Sequence, residues 1–184
     1  MTWDLNAEAA RVHAANEKWW RDLDTGEPIE RDDGELFALM ASELSEALEG
    51  ERKNLDDDKL VQFKMAGVEM ADFVIRILDY TGRRGIKLTD EIADARYRFP
   101  WVMVSSTSNR ANLIWSMHRS LVNAFEYGKL MQSGQFSFLI SDARLYCETF
   151  GYPFDAAYEA KMAYNAIRAD HTHEARKLAD GKKF

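Results

Sequence analysis

Apolar residues recur at three- and four-residue intervals along most of the chain and no segment alternates with a period of two, so the pattern predicts helices and no sheet. The first helical pattern covers residues 5–23 and carries His13, Asn16, Trp19 and Trp20. The polar stretch DTGEPIERDDG (24–34), punctuated by Gly26, Pro28 and Gly34, reads as a loop. A second helix is predicted over 35–53, with Leu36, Phe37, Met40, Leu44, Ala47 and Leu48 at helical spacing. NLDDDK (54–59) connects it to a third helix over 61–81, and its aspartates read as a solvated cap rather than as ligands. GRRG then leads into LTDEIADARYR (88–98), with Thr89 as N-cap. FPWVMVSSTSN (99–109) breaks the pattern as a linker, and Ser108 or Asn109 caps a fourth helix over 110–130. A turn at QSGQ (132–135) precedes a fifth helix ending near Phe150. GYPF (151–154) turns into a last helix over 155–178, and GKKF reads as a frayed tail.

These elements imply an all-α bundle, one domain over residues 1–184 made of a first half (1–98), the linker and a second helical half (110–184). The halves echo each other: ELSEALEGERK (43–53) aligns with RSLVNAFEYGK (119–129), and GIKLTDEIADARYR (85–98) with GYPFDAAYEAKMAY (151–164). A duplicated helical hairpin would account for both matches.

Composition narrows the class. Three prolines and ten glycines in 184 residues fit helices, and 46% hydrophobic residues are enough for a core. The longest apolar runs fall short of a membrane span, and the first residues lack a basic-then-apolar leader. The single cysteine, Cys147, excludes an internal disulfide and a CxxC metal site and reads as a small core hydrophobe. A cytoplasmic location is expected. The net charge of −7 argues against a nucleic-acid polymer or an anionic membrane as partner. That charge is uneven, with 23 acids against 14 bases in residues 1–99 and 8 against 10 in residues 100–184. Such a division suits one half holding metal and the other holding phosphate.

The carboxylates sharpen this. Glu43 and Glu46, three apart, project from one face of the second helix, with Glu43 inside its apolar sector and Glu46 at the edge. The third helix, GVEMADFVIRILDY, is apolar nearly all round and is therefore expected to be buried. Its exceptions Glu69, Asp72, Arg76 and Asp79 fall within a stripe about 80° wide. Buried carboxylates need a cation. Arg76 can satisfy one of them, and the excess predicts a divalent metal on Glu43, Glu46, Glu69 and Asp72. All-oxygen ligands select Mg²⁺ first and Mn²⁺ second. The alternative is an arginine–carboxylate network that only fixes helix register.

On the last helix Lys161, Asn165 and Arg168 are spaced i, i+4, i+7, a stripe suited to phosphate but equally compatible with a solvated face. In HAANEKWW the adjacent tryptophans point in different directions, so one can stack on a base while Asn16 reads its edge, or both can be structural. His171 and His173, two apart, do not share a helix face and make poor metal ligands.

Taken in order, ExxE (Glu43, Glu46), 22 residues, ExxD (Glu69, Asp72), GIKL and a later KxxxNxxR (Lys161, Asn165, Arg168) resemble the MazG-like all-α nucleoside triphosphate pyrophosphohydrolases. Their relatives include dimeric dUTPases, dCTP pyrophosphatases and phosphoribosyl-ATP pyrophosphohydrolase. The resemblance covers residues 13–92 and resumes at 161–168. It implies a helical bundle assembling as a homodimer or homotetramer and Mg²⁺-dependent hydrolysis of a (deoxy)nucleoside triphosphate to monophosphate and pyrophosphate. One departure stands out. Ala95 and Phe99 occupy the places where compact members carry Lys and Asn, and the basic motif reappears 66 residues further on.

A composite site is therefore expected, with metal held by the first half and phosphates by Lys161, Asn165, Arg168 and Arg76. Glu43 or Glu46 would accept the proton of the attacking water, while His13, Asn16, Trp19 and Trp20 would hold the base. A di-iron bundle would require Glu-x-x-His pairs, which the chain lacks. The remaining alternative is a non-catalytic helical interaction protein that retains the fold.

Overall fold

The computed structural model describes residues 3–89, 109–126, 129–168 and 171–178. Helices follow one another as α1 (Leu5–Asn16), a 3₁₀ turn (Glu17–Trp20), α2 (Asp33–Lys53), α3 (Met65–Arg84), α4 (Arg110–Glu126), α5 (Lys129–Phe150), α6 (Phe154–Ile167) and the short α7 (His173–Lys177). The architecture is an all-α bundle, with no strand among the described residues beyond two isolated bridges, Arg21 with Pro28 and Asp56 with Lys64. None of the described helices is long and apolar enough to cross a membrane.

The nearly all-round apolar sequence of α3 makes it the centre of the bundle, packed by α1, α2, α5 and α6. Val68, Met70, Ala71, Phe73, Val74, Ile77 and Leu78 are completely buried along it. α2 runs antiparallel to α3: Gly50 meets Ala66 at one end, and Arg84 grips Asp33 at 2.7 Å at the other. α1 crosses α3 where Gly82 leaves room. A Cβ there would lie 2.6 Å from the Ala9 carbonyl oxygen and 2.8 Å from the His13 Cβ. The second half is tied on by polar contacts. Glu51, near the end of α2, accepts from the Tyr146 hydroxyl at 2.5 Å and the Tyr152 hydroxyl at 2.7 Å, and pairs with Arg110 at 3.3 Å. Cys147 is fully buried in the core, as its sequence context suggests.

Several expected boundaries shift for identifiable reasons. The first helix ends at Asn16 rather than 23, because the chain tightens into the 3₁₀ turn that sends Trp20 into the core. The third begins at Met65, not 61, since 57–63 form a turn capped by buried Asp57, which accepts from the Lys59 and Leu60 amides at 2.9 and 2.6 Å. Of the aspartate run, Asp56 and Asp58 are exposed and paired with Lys64 and Lys59, whereas Asp57 is interior. Asn109 caps α4 as expected, through the Ala111 amide at 2.8 Å.

QSGQ is no turn: α5 runs unbroken through it. Tertiary contacts override the local turn propensity, because Ser133 donates to the Lys87 carbonyl and the Ser137 hydroxyl accepts from the Thr89 amide at 2.9 Å. The last predicted helix is two, interrupted after Ile167 where Arg168 leaves helical geometry, and α7 restarts under a Thr172 cap. Beyond Thr89 itself, the helix expected from there with Ala95, the linker with Phe99 and Ser108, and the tail 181–184 lie outside the described residues.

Two glycines separate these effects. Gly82→Ala should destabilise by about 1–3 kcal/mol, lowering Tm by roughly 3–10 °C, because backbone must move. Gly134, within α5, has open space where a Cβ would go. Gly134→Ala should therefore raise stability by about 0.5–1 kcal/mol in thermal melts, and a loss instead would argue against a continuous helix there.

Candidate metal centre

Three carboxylates converge where α2 faces α3. One oxygen each from Glu43, Glu69 and Asp72 lie within 4.8 Å of one another. Glu43 comes from the buried face of α2 and is 3% exposed, and Glu69 from α3 is 5% exposed. Asp72, one turn on from Glu69, keeps only 14% of its side chain accessible. Glu46, the fourth expected ligand, sits outside this cluster on the exposed side of α2. Its charge still acts on Glu43 and Arg76, so it stands beside the site rather than in it.

Two cations approach from different elements. Arg76 of α3 donates through Nε to Glu43 Oε1 at 2.5 Å. Lys161 of α6, itself 8% exposed, places Nζ 3.0 Å from Asp72 Oδ2 and 3.8 Å from Glu69 Oε2. Asn165, one turn further along α6, donates Nδ2 to Asp72 Oδ1 at 3.4 Å. The amide cannot be reversed, since its oxygen would then face a carboxylate. Asn165 Oδ1 is left buried without a hydrogen-bond partner. Residues from both halves of the sequence thus meet at one cluster.

Burial dominates the electrostatics. It pushes the Glu43 carboxyl up to about 7, reinforced by the charge of Asp72 and opposed by Arg76. Glu69 is pushed up to about 9 by burial, against the pull of Lys161 and with the neighbouring charges of Asp72 and Glu43 adding to the rise. Asp72 goes the other way: although burial opposes ionisation, Lys161, Arg76 and the Asn165 amide hold it below the ordinary aspartate range. Two side-chain cations stand against three carboxylates, two of which burial holds back from ionising. A divalent cation would supply the positive charge that favours their ionised form.

The residues fit such an ion. The converging donors are all oxygen, from three carboxylates, with no histidine or cysteine among them, and the orphaned Asn165 Oδ1 offers a further polar atom at the rim. The cluster could hold a hard divalent metal ion.

The remaining expected site residues are placed less uniformly. Arg168 has left the helical stripe, and its guanidinium lies 5.4 Å from the Tyr164 ring centroid. His13 Nδ1 is 2.8 Å from Asp79 Oδ1, which also accepts from Trp20 Nε1 at 3.0 Å, so the fourth polar residue of the α3 stripe anchors aromatics rather than joining the cluster. Trp20 is a core residue, 2% exposed, with the guanidinium groups of Arg31, Arg83 and Arg84 within 5.3–5.8 Å of its ring. That packing leaves it no face for a base. Trp19 points elsewhere, as two adjacent tryptophans must, and packs edge-on against His171 with Arg176 stacked 4.1 Å over it. Asn16 ends α1 and caps the 3₁₀ turn without a side-chain hydrogen bond.

The contact that joins this region to the cluster was missed in the sequence: Lys18 Nζ donates to the Asn165 carbonyl at 3.3 Å, and Arg176 to the Lys18 carbonyl at 2.7 Å. Only the proximity of Lys18 to the tryptophan pair hinted at it. Comparison with protein-family models, with curated proteins and with solved structures returned no match to this chain. What stands is an all-helical protein with a buried acidic cluster.

Linkage gives the centre a pH signature. The contribution of each raised glutamate is complete below its ordinary range and is lost as pH rises through about 7 for Glu43 and about 9 for Glu69. Asp72 has the opposite sign, its contribution being lost only on acidification. With chelator present, stability should fall progressively between about pH 5.5 and 9. Added divalent cation should reverse that decline, its stabilisation growing across the same interval as it competes with protons. Thermal melts across pH, with chelator and with cation, check this. A cation effect independent of pH would mean the carboxylates are not its ligands.

Proposed function

We propose that this protein is a Mg²⁺-dependent nucleoside triphosphate pyrophosphohydrolase of the MazG-like all-α type, with Mn²⁺ an acceptable substitute. The observation that carries the reading is the meeting of Glu43, Glu69 and Asp72 within 4.8 Å, with Lys161 brought onto them from α6. The ordered motif required such a meeting across 89 residues of sequence, from Asp72 to Lys161, if it was to act as one composite site.

When bound, the cation supplies charge neutralisation for the triphosphate and acidifies a water. The chain's own residues divide the remaining work. Glu43, Glu69 and Asp72 hold the cation, and Arg76 fixes the orientation of Glu43. Glu46 is exposed, has no ion-pair or hydrogen-bond partner among the described residues, and stands next to the cluster. It is therefore better suited than Glu43 to accept the proton of an attacking water. Lys161 and Asn165 offer an ammonium and an amide to phosphate oxygens, and Arg168 lies just beyond the end of their helix. Of the aromatics, Trp19 rather than Trp20 is the candidate for stacking on a base. The resemblance extends the reading to a homodimer or homotetramer, which light scattering measures directly.

The test is pyrophosphate release from a panel of canonical and modified nucleoside triphosphates, with and without Mg²⁺. Turnover should depend on the cation, and Glu43→Gln and Asp72→Asn should each reduce it at least about a hundredfold. No release from any nucleotide, with both variants as well folded as wild type, would shift the reading to a non-catalytic interaction protein whose acids only set helix register.

A further inference from the structure

We propose that Lys161 is a built-in counter-ion that a divalent cation must displace, so that metal entry is an ion exchange in which the ammonium leaves Asp72 and Glu69. The proposal rests on the reading above that these carboxylates bind a divalent cation.

The geometry is specific about which oxygens are contested. Lys161 Nζ faces Asp72 Oδ2 at 3.0 Å and Glu69 Oε2 at 3.8 Å, and so spans two of the three carboxylates. The third, Glu43, is held by Arg76 at 2.5 Å. A dication bonded at about 2.1 Å to those oxygens would lie within a few ångströms of the ammonium, in a nearly solvent-free setting where like charges repel strongly.

The two cations differ in freedom to yield. Arg76 grows from α3, the same helix as Glu69 and Asp72, and presents a planar fork. Lys161 reaches in from α6 on a flexible four-carbon stem, so it can withdraw without any helix moving. An acceptor is at hand one turn along its own helix: Asn165 Oδ1, buried and without a partner. The displaced ammonium would then be a free donor beside the cation, where phosphates of a bound nucleotide would lie. Exchange therefore couples filling of the metal site to release of a phosphate-binding group.

Amine acylation of the wild-type protein, read residue by residue by mass spectrometry with and without Mn²⁺, tests the displacement directly. Lys161, buried and paired, should be protected without the cation and labelled at least about fivefold more with it. The more exposed Lys53 and Lys64, paired with Glu49 and Asp56, should not change. Calorimetric titration adds a second readout: Lys161→Met should bind Mn²⁺ at least about tenfold more tightly than wild type. If Mn²⁺ binds wild type while Lys161 labelling stays constant, the exchange is wrong and the metal site stands, whatever the affinity of Lys161→Met. If Mn²⁺ binds neither protein, the metal reading falls and the exchange with it. The labelling experiment needs no variant, so misfolding of Lys161→Met would not blunt it.

Discussion

Three carboxylates cannot remain buried between two packed helices unless something answers their charge, and much of this fold's polar organisation follows from how that demand is met. Arg76 answers from within α3, Lys161 answers from α6, and burial raises the Glu43 and Glu69 carboxyls toward their neutral form for the rest. Because Lys161 belongs to the far end of the chain, the requirement acts as a long-range tie. α6 must lie against α3 at the level of Asp72, and Lys18 in the 3₁₀ turn after α1 is drawn to the Asn165 backbone carbonyl at the same place.

That tie works only because α3 is a fixed reference. A helix apolar around most of its circumference has to be enclosed, and here α1, α2, α5 and α6 enclose it. Its polar stripe then becomes a line along which charge enters the interior. The stripe divides into two parts. Glu69, Asp72 and Arg76 build the ionic cluster, and Asp79, three residues beyond Arg76, anchors His13 and Trp20. The glycine at position 82, just past that anchor, lets α1 approach closely enough for His13 to reach Asp79.

How much of this was legible in the sequence follows from the range of each interaction. The all-α class, the burial of α3 and the inward position of Glu43 depend on local periodicity and were readable. The juxtaposition of Lys161 and Asn165 with Asp72 was readable only through motif order, since no local signal brings α6 to α3. What escaped was decided by tertiary contacts. Ser133 and Ser137 hold residues 87–89 and keep α5 helical through a turn-like tetrad. Arg168 leaves its predicted stripe because the helix stops at Ile167. Trp20 is withdrawn from any ligand role by a 3₁₀ turn that composition does not announce.

The energetics also bear on why the cluster is better read as a working site than as a structural device. Replacing a buried ion network by apolar side chains of similar size is often neutral or stabilising by about 1–4 kcal/mol. The surroundings here are already well suited to that solution, since Met40, Leu44, Ala47 and Phe73 are tightly buried on the same two helices. An all-hydrophobic α2–α3 seam would hold register without two glutamates whose ionisation burial opposes and without a buried lysine drawn in from α6. An arrangement that accepts those penalties, and leaves the Asn165 side-chain oxygen Oδ1 unsatisfied beside them, is poorly optimised for stability. It could hold a cation, because positive charge arriving there would favour the ionised form of the raised glutamates and free the lysine from Asp72.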